Sequence, residues 1–343
     1  MRLSNLSLAL LATLLASADV CAFQPAHHFP AAPTVMVSRG DGMTIRPLRR
    51  QSVTKGLFMS ADQSVVKSRI IAGHTISSAL FAATAAGIVG FGANSSIGLG
   101  LPLYAASGPL LAAGVSYILA GAAKAGRLGS DTYKRLNLLQ AEFDLCGLST
   151  FLLALGHPSN NARLFFALSL ASLLSLSPSF AGWSFGDRGL DTEKQASLLL
   201  YLKEGIKSTV KGATSFANFK GAIYLAGTYF VATLKTVKLI EIANLFASGD
   251  SATTVATRAV RFGRLALLTG VMYTLKDAAD RGRLEGTTFI ELNFLSSIVF
   301  GTMANYIKTV SGNFTPLVGV AAFFSSFALF NAVNSLIKTK AKP

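Results

Sequence analysis

From residue 70 onward the chain alternates between long apolar runs and short polar breaks. The runs cover residues 70–92, 101–123, 136–156, 162–183, 221–246, 258–275, 288–307 and 315–337. Each is close to the ~20 residues that a helix needs to cross the hydrocarbon core of a bilayer. The last run opens with Thr315-Pro316, an N-cap followed by Pro at the first helical position. The pattern predicts an all-α, polytopic membrane protein of about eight transmembrane helices.

Two stretches of this pattern are copies of each other. Residues 114–139 and 270–295 align without a gap and share Gly114, Tyr117, Gly126, Arg127, Leu136, Asn137 and Leu139 with Gly270, Tyr273, Gly282, Arg283, Leu292, Asn293 and Leu295. Each copy contains one apolar run, a basic turn and the start of the next run, so we infer an internal duplication. Runs one to four then repeat as runs five to eight, giving two parallel four-helix repeats at 60–183 and 221–343. An even number of spans per repeat leaves both copies facing the same way, related by an axis along the membrane normal. The polar connection 184–220 mixes Leu198, Leu199, Leu200 and Leu202 with acids and lysines, and predicts an amphipathic helix lying on the basic face.

Within the copies, Gly126-Arg127 and Gly282-Arg283 suit a helix C-cap, with the arginine complementing the helix dipole. The alternative for these arginines is a lipid-headgroup or anion contact at a pseudo-symmetric pair of sites. Tyr117 and Tyr273, one per copy, suit interfacial packing.

Composition agrees with a membrane protein: 51% of residues are hydrophobic and 14% charged, against about a quarter charged in soluble domains. The net charge of +15 comes from basic residues in the connections and at the ends. With eight spans, both termini and the even-numbered connections share this basic side, which the positive-inside rule places on the side of insertion. Such a face suits anionic lipid headgroups, and no basic domain interleaved with aromatics points to nucleic acid. Cys21 and Cys146 are the two cysteines, and with Cys21 in a segment expected to be removed they leave no structural disulfide.

The first sixty residues read as an address. Arg2, the apolar stretch 6–15 and the small residues up to Ala22 form a secretory signal peptide over 1–22. Residues 23–59 carry Arg39, Arg46, Arg49, Arg50 and Lys55 against one acid, Asp41, which is the composition of a transit segment. A signal peptide, then Ala22-Phe23-Gln24-Pro25, then a transit-like stretch resembles the bipartite plastid presequence of diatoms and related algae. The resemblance implies delivery to a membrane of a secondary plastid, envelope or thylakoid, with both termini stromal. The competing reading is an endomembrane protein of the secretory pathway, in which the Asn313-Phe314-Thr315 sequon would be glycosylated.

Candidate chemistry is sparse. The third run opens with Asn137, Gln140, Glu142 and Asp144, of which Asn137, Gln140 and Asp144 share a helical face. Acids within a span are functional candidates, here for proton or cation coupling, unless they sit solvated at the interface. The second copy keeps Asn293 but has Ser296, Ile298 and Phe300 in place of the others. Lys235, Lys238 and Glu241 in the fifth run either line a cavity or reach the far interface, and Lys238 and Glu241 are spaced to pair. Arg258, Arg261 and Arg264 recur every third residue and are expected as interfacial anchors. Arg135 and Glu291 occupy equivalent positions with opposite charge, and are expected to meet at the basic-side mouth between the repeats. No cofactor motif is evident, although a bundle of this kind can hold pigment or lipid. The pattern of an enzyme is missing too: no nucleophile has a partnering base. Passage of a small solute or ion at the repeat interface is the leading expectation. The alternative is a non-transporting scaffold or assembly factor for pigment-protein complexes, with other plastid membrane proteins as partners.

Overall fold

The computed structural model describes residues 61–92, 100–154, 162–185, 214–248 and 252–341. The expected targeting segments 1–22 and 23–59 and most of the 184–220 connector lie outside them. Eight helices follow in order: α1 Ala61–Gly92, α2 Gly100–Lys124, α3 Asp131–Ala154, α4 Ala162–Phe185, α5 Phe219–Ser248, α6 Ala252–Asp280, α7 Thr287–Ser311 and α8 Pro316–Ala341. The described residues contain no strand, and the protein is a polytopic all-α membrane protein.

Six of the helices are long and apolar enough to cross a membrane by composition alone; α3 and α6 are the other two. Their position explains the exception. Residues 135–144 of α3 are buried on every side, as are 262–275 of α6. A helix shielded from lipid by its neighbours need not be apolar throughout, so polar side chains concentrate in these two.

The helices pair alike in both halves. Sequence neighbours form the hairpins α1–α2, α3–α4, α5–α6 and α7–α8, while α3 crosses to α6 and α7 crosses to α2. These two crossings repeat in detail. A Cβ on Gly114 would strike the Leu295 side chain, and one on Gly270 would strike Leu139. Gly114 and Leu139 are the first-copy equivalents of Gly270 and Leu295, so each half inserts the same leucine into the same glycine notch of the other. Without a side chain there, the helices approach closely enough for dense packing.

The turns after α2 and α6 match as well. The amide of Arg127 donates to the Ala122 carbonyl at 2.9 Å and that of Gly126 to Ala123 at 3.1 Å; Arg283 and Gly282 do the same to Ala278 and Ala279 at 2.8 and 3.1 Å. This is a Schellman cap, which requires the left-handed φ of 64° at Gly126 and 66° at Gly282. Leu128 and Leu284 then fold back into the core.

The halves part company at their flanks. In the first, α1 lies directly against α4, with Gly73 meeting the ring of Pro178. In the second, α5 and α8 stand further apart and meet through rings, Tyr224 on Phe327 and Phe230 on Phe324.

Candidate functional site

Asn137 and Asn293 show what the two interiors share. The Asn137 amide donates to the Tyr133 carbonyl one turn back at 2.9 Å, and its Oδ1 lies 3.1 Å from His74 Nε2 of α1. With Oδ1 as acceptor, Nε2 carries the hydrogen and Nδ1 is left as a buried acceptor. Asn293 donates to the Phe289 carbonyl at 2.9 Å, and its Oδ1 accepts the Tyr224 hydroxyl of α5 at 2.6 Å. The same asparagine thus ties the third helix of each half to the first.

Beyond that point only the first half stays polar. Gln140 donates to Asp144 Oδ1 at 3.0 Å on the shared face of α3. Opposite them α4 presents Ser172, Ser175 and Ser179, all fully buried, with Ser175 beside the Asp144 carboxylate. Further along, Thr150 and Ser169 bond at 2.8 Å. A polar seam therefore runs between α3 and α4 from His74 and Asn137 to Thr150. Along it His74 Nδ1, Gln140 Oε1 and the hydroxyls of Ser172 and Ser179 complete no hydrogen bond among the described residues. Leaving one buried polar group unmet costs about 1–3 kcal/mol. Buried polar groups of this kind are in general met by ordered water.

Glu142 points the other way, towards the second half. Lys235 Nζ of α5 reaches its Oε1 at 2.8 Å, with the two side chains 6% and 0% exposed. The ammonium also lies 4.8 Å from the centre of the Phe262 ring on α6. Glu142 Oε2 has no partner among the described residues. Glu142 and Asp144 are both buried in the protein interior, not solvated at its surface.

Lys238 and Glu241 are placed differently from Lys235. Glu241 bridges Lys238 at 2.5 Å and Arg258 of α6 at 2.6 Å, in a partly exposed triad tying the ends of α5 and α6. Arg258 thus does face an acid. Arg264 departs further from the interfacial anchor expected of it. It is 2% exposed, donates to the Tyr104 carbonyl at 2.6 Å, and lays its guanidinium 3.6 Å over the Tyr104 ring. Tyr104 in turn stacks on Tyr306 at 4.2 Å. Continuing the duplication upstream makes Gly108 the equivalent of Arg264, and the two face each other where α2 meets α6. A glycine in one copy makes room for the arginine in the other, so burial and not anchoring results.

The expected meeting of Arg135 and Glu291 is replaced by two separate contacts. Arg135 is buried over the Tyr273 ring, 4.8 Å from its centre. Glu291 lines a cleft with Tyr117 and Tyr133. Tyr117 is 65% exposed and Tyr273 is 4% exposed, so the two tyrosines have different surroundings.

Sequence reasoning passes over His74 and the α4 serines, and for Lys235 it leaves open the inward position that the structure shows but not the partner, Glu142. The serines carry a signal: Ser169, Ser172, Ser175 and Ser179 recur at helical spacing. Cys146 is a free, buried thiol. Among the described residues no group of three or more His, Cys, Asp or Glu side chains converges as metal ligands. Comparison with protein-family models, with curated proteins and with solved structures found no match.

Proposed function

We propose that this integral membrane protein is a transporter or channel that moves protons or a small cation through the first repeat, coupled to the interface between the repeats. The observation that supports it is the placement of two acids inside the bundle, Asp144 on a hydroxyl-lined seam and Glu142 on a lysine from the other half. Each serine hydroxyl both donates and accepts, so Ser172, Ser175 and Ser179 can relay a proton past Asp144 towards the Nδ1 acceptor of His74. Glu142 and Lys235 supply the coupling. A cation taken up by Glu142 competes with the Lys235 ammonium, and releasing that ammonium alters the contact of α3 with α5 and hence of one half with the other. Membrane-embedded ionisable groups are costly to keep and in general mark such pathways. The 1–59 presequence pattern favours a secondary-plastid membrane as the place of action, with both termini in the stroma.

The test is flux. Full-length protein reconstituted in vesicles with an internal pH dye, under an imposed potential, is expected to carry protons or a monovalent cation. Asp144→Asn is expected to abolish the flux while leaving the amount of reconstituted protein unchanged. Undiminished flux in Asp144→Asn removes the seam from the path. No flux in the unmodified protein, with pigment-protein complexes co-purifying in native extracts, establishes the scaffold reading instead.

A further inference from the structure

The duplication creates two equivalent clefts at the basic-side ends of α2 and α6, and the chain fills only one of them. In the second half Arg135 lies on Tyr273, Lys276 pairs with Asp280 at 2.8 Å, and Arg281 pairs with Asp277 at 3.0 Å. Asp280 also accepts the Ala217 amide at 2.9 Å. Lys276, Arg281, Asp277 and Asp280 are thus paired within the protein.

In the first half the equivalent of Arg135 is Glu291, and the equivalents of Asp277 and Asp280 are Gly121 and Lys124. The result is an open cleft of about 360 Å³ between α1, α2 and α7. It is lined by Lys124 and Arg127 from the C-terminal end of α2 and the turn after it, by Tyr117 two turns earlier on α2, by Glu291 of α7, and by the Tyr133–Thr288 hydroxyl pair (2.9 Å). Gly121, also among the lining residues, is exposed, and a Cβ added to it would meet nothing within 4 Å. Among the described residues no ion pair joins Glu291 to either cation.

We propose that this cleft binds a zwitterion that carries both an ammonium and a phosphate. The filled cleft shows the first requirement: a cation, the Arg135 guanidinium, occupies the tyrosine face. In the open cleft the chain has replaced that cation with a carboxylate, so an incoming ammonium meets both the Tyr117 ring and Glu291. Aromatic faces attract ammonium groups in this way, more strongly when water is displaced. The second requirement follows from Lys124 and Arg127, which offer an anion charge-assisted hydrogen bonds. Neither an anion nor a cation alone satisfies both requirements. The inference is independent of the transport reading, since the cleft shares no residue with the α3–α4 seam.

A phosphoammonium group comes either from a bilayer lipid or from a free solute, and the assay separates them. Calorimetric titration of the full chain in detergent would use phosphocholine, then choline and inorganic phosphate separately, then a short-chain phosphatidylcholine and a short-chain phosphatidylglycerol. The zwitterionic probes are expected to bind at least about tenfold tighter than choline, phosphate or the anionic lipid, the worth of one added charge-assisted contact. Tight binding of phosphocholine itself identifies a free solute; tight binding of the zwitterionic lipid alone identifies a bilayer source. Glu291→Gln is expected to erase that preference while phosphate binding persists, and Arg127→Gln to weaken every phosphate-bearing probe. Arg283→Gln, at the filled cleft, is expected to change nothing. Equal binding of the zwitterionic and anionic lipids, no response to Glu291→Gln, or no binding by any probe overturns the proposal.

Discussion

Asp144 and Phe300 occupy the same place in the two copies, both fully buried, and their neighbours have diverged to suit them. Around Asp144 stand Gln140 and the α4 serines; around Phe300 stands Phe324 of α8, at 5.4 Å between ring centres. The closing elements have stayed alike: the glycine notches, the leucines that fill them, the Schellman caps and the asparagine ties. The two copies share the contacts that join the halves and differ in the polarity of their interiors. Specialisation of one copy is affordable because the other still supplies apolar packing in the same geometry.

The comparison breaks most visibly at the ion pair. Lys235→Ala leaves Glu142 buried and alone, and is expected to cost about 3–5 kcal/mol, whereas Lys235→Met with Glu142→Leu is expected to recover most of that loss. Thermal unfolding in detergent measures both; equal damage from the single and double variants would show that the pair is held by something other than mutual charge. Next in size is an acid moved into the other copy. Phe300→Asp is expected to destabilise by about 3 kcal/mol or more, since Phe300 sits in the apolar core against the Phe324 ring. Asp144→Asn is expected to cost less than about 1 kcal/mol, because an amide still meets Gln140 and the serines. If the two variants unfold alike, the polar surroundings of Asp144 carry no weight.

The shared contacts should respond alike. Gly114→Ala and Gly270→Ala each push a leucine out of its notch and are expected to cost about 1–3 kcal/mol, equal to within about 0.5 kcal/mol. A large difference would mean that the two crossings are not equivalent. The smallest effect belongs to the triad at the far ends of α5 and α6. Arg258→Ala, with its side chain 34% exposed, is expected to change stability by no more than about 1 kcal/mol.

The eight helices and the duplication were legible because they rest on local signals, run length and an ungapped match. Which helices lie centrally was not. The charges that disqualify α3 and α6 as ordinary spans looked like interfacial residues, since hydropathy along a chain does not say which helices lipid touches. Arg264 was misplaced for this reason: its refuge is the space left by Gly108 on another helix, 156 residues away. Arg135 and Glu291 were expected to meet because equivalent residues can face an axis, but each takes the tyrosine of the opposite copy as its neighbour. Lys235 stayed between a cavity and the interface because its partner, Glu142, lies in the other half, and a lysine on an apolar helix carries no mark of what it will reach.

The central claim is that water or ions reach the interior of the first half and not the second. In a chain with Cys21 and Cys146 replaced by serine and alanine, single cysteines at Ser175 and Phe300 test it directly. Both sites are fully buried in the bundle. In reconstituted vesicles, a small membrane-impermeant thiol reagent is expected to modify Ser175→Cys and to leave Phe300→Cys unmodified. Protection of both would contradict the account, because the seam would then be as closed as the aromatic core opposite it.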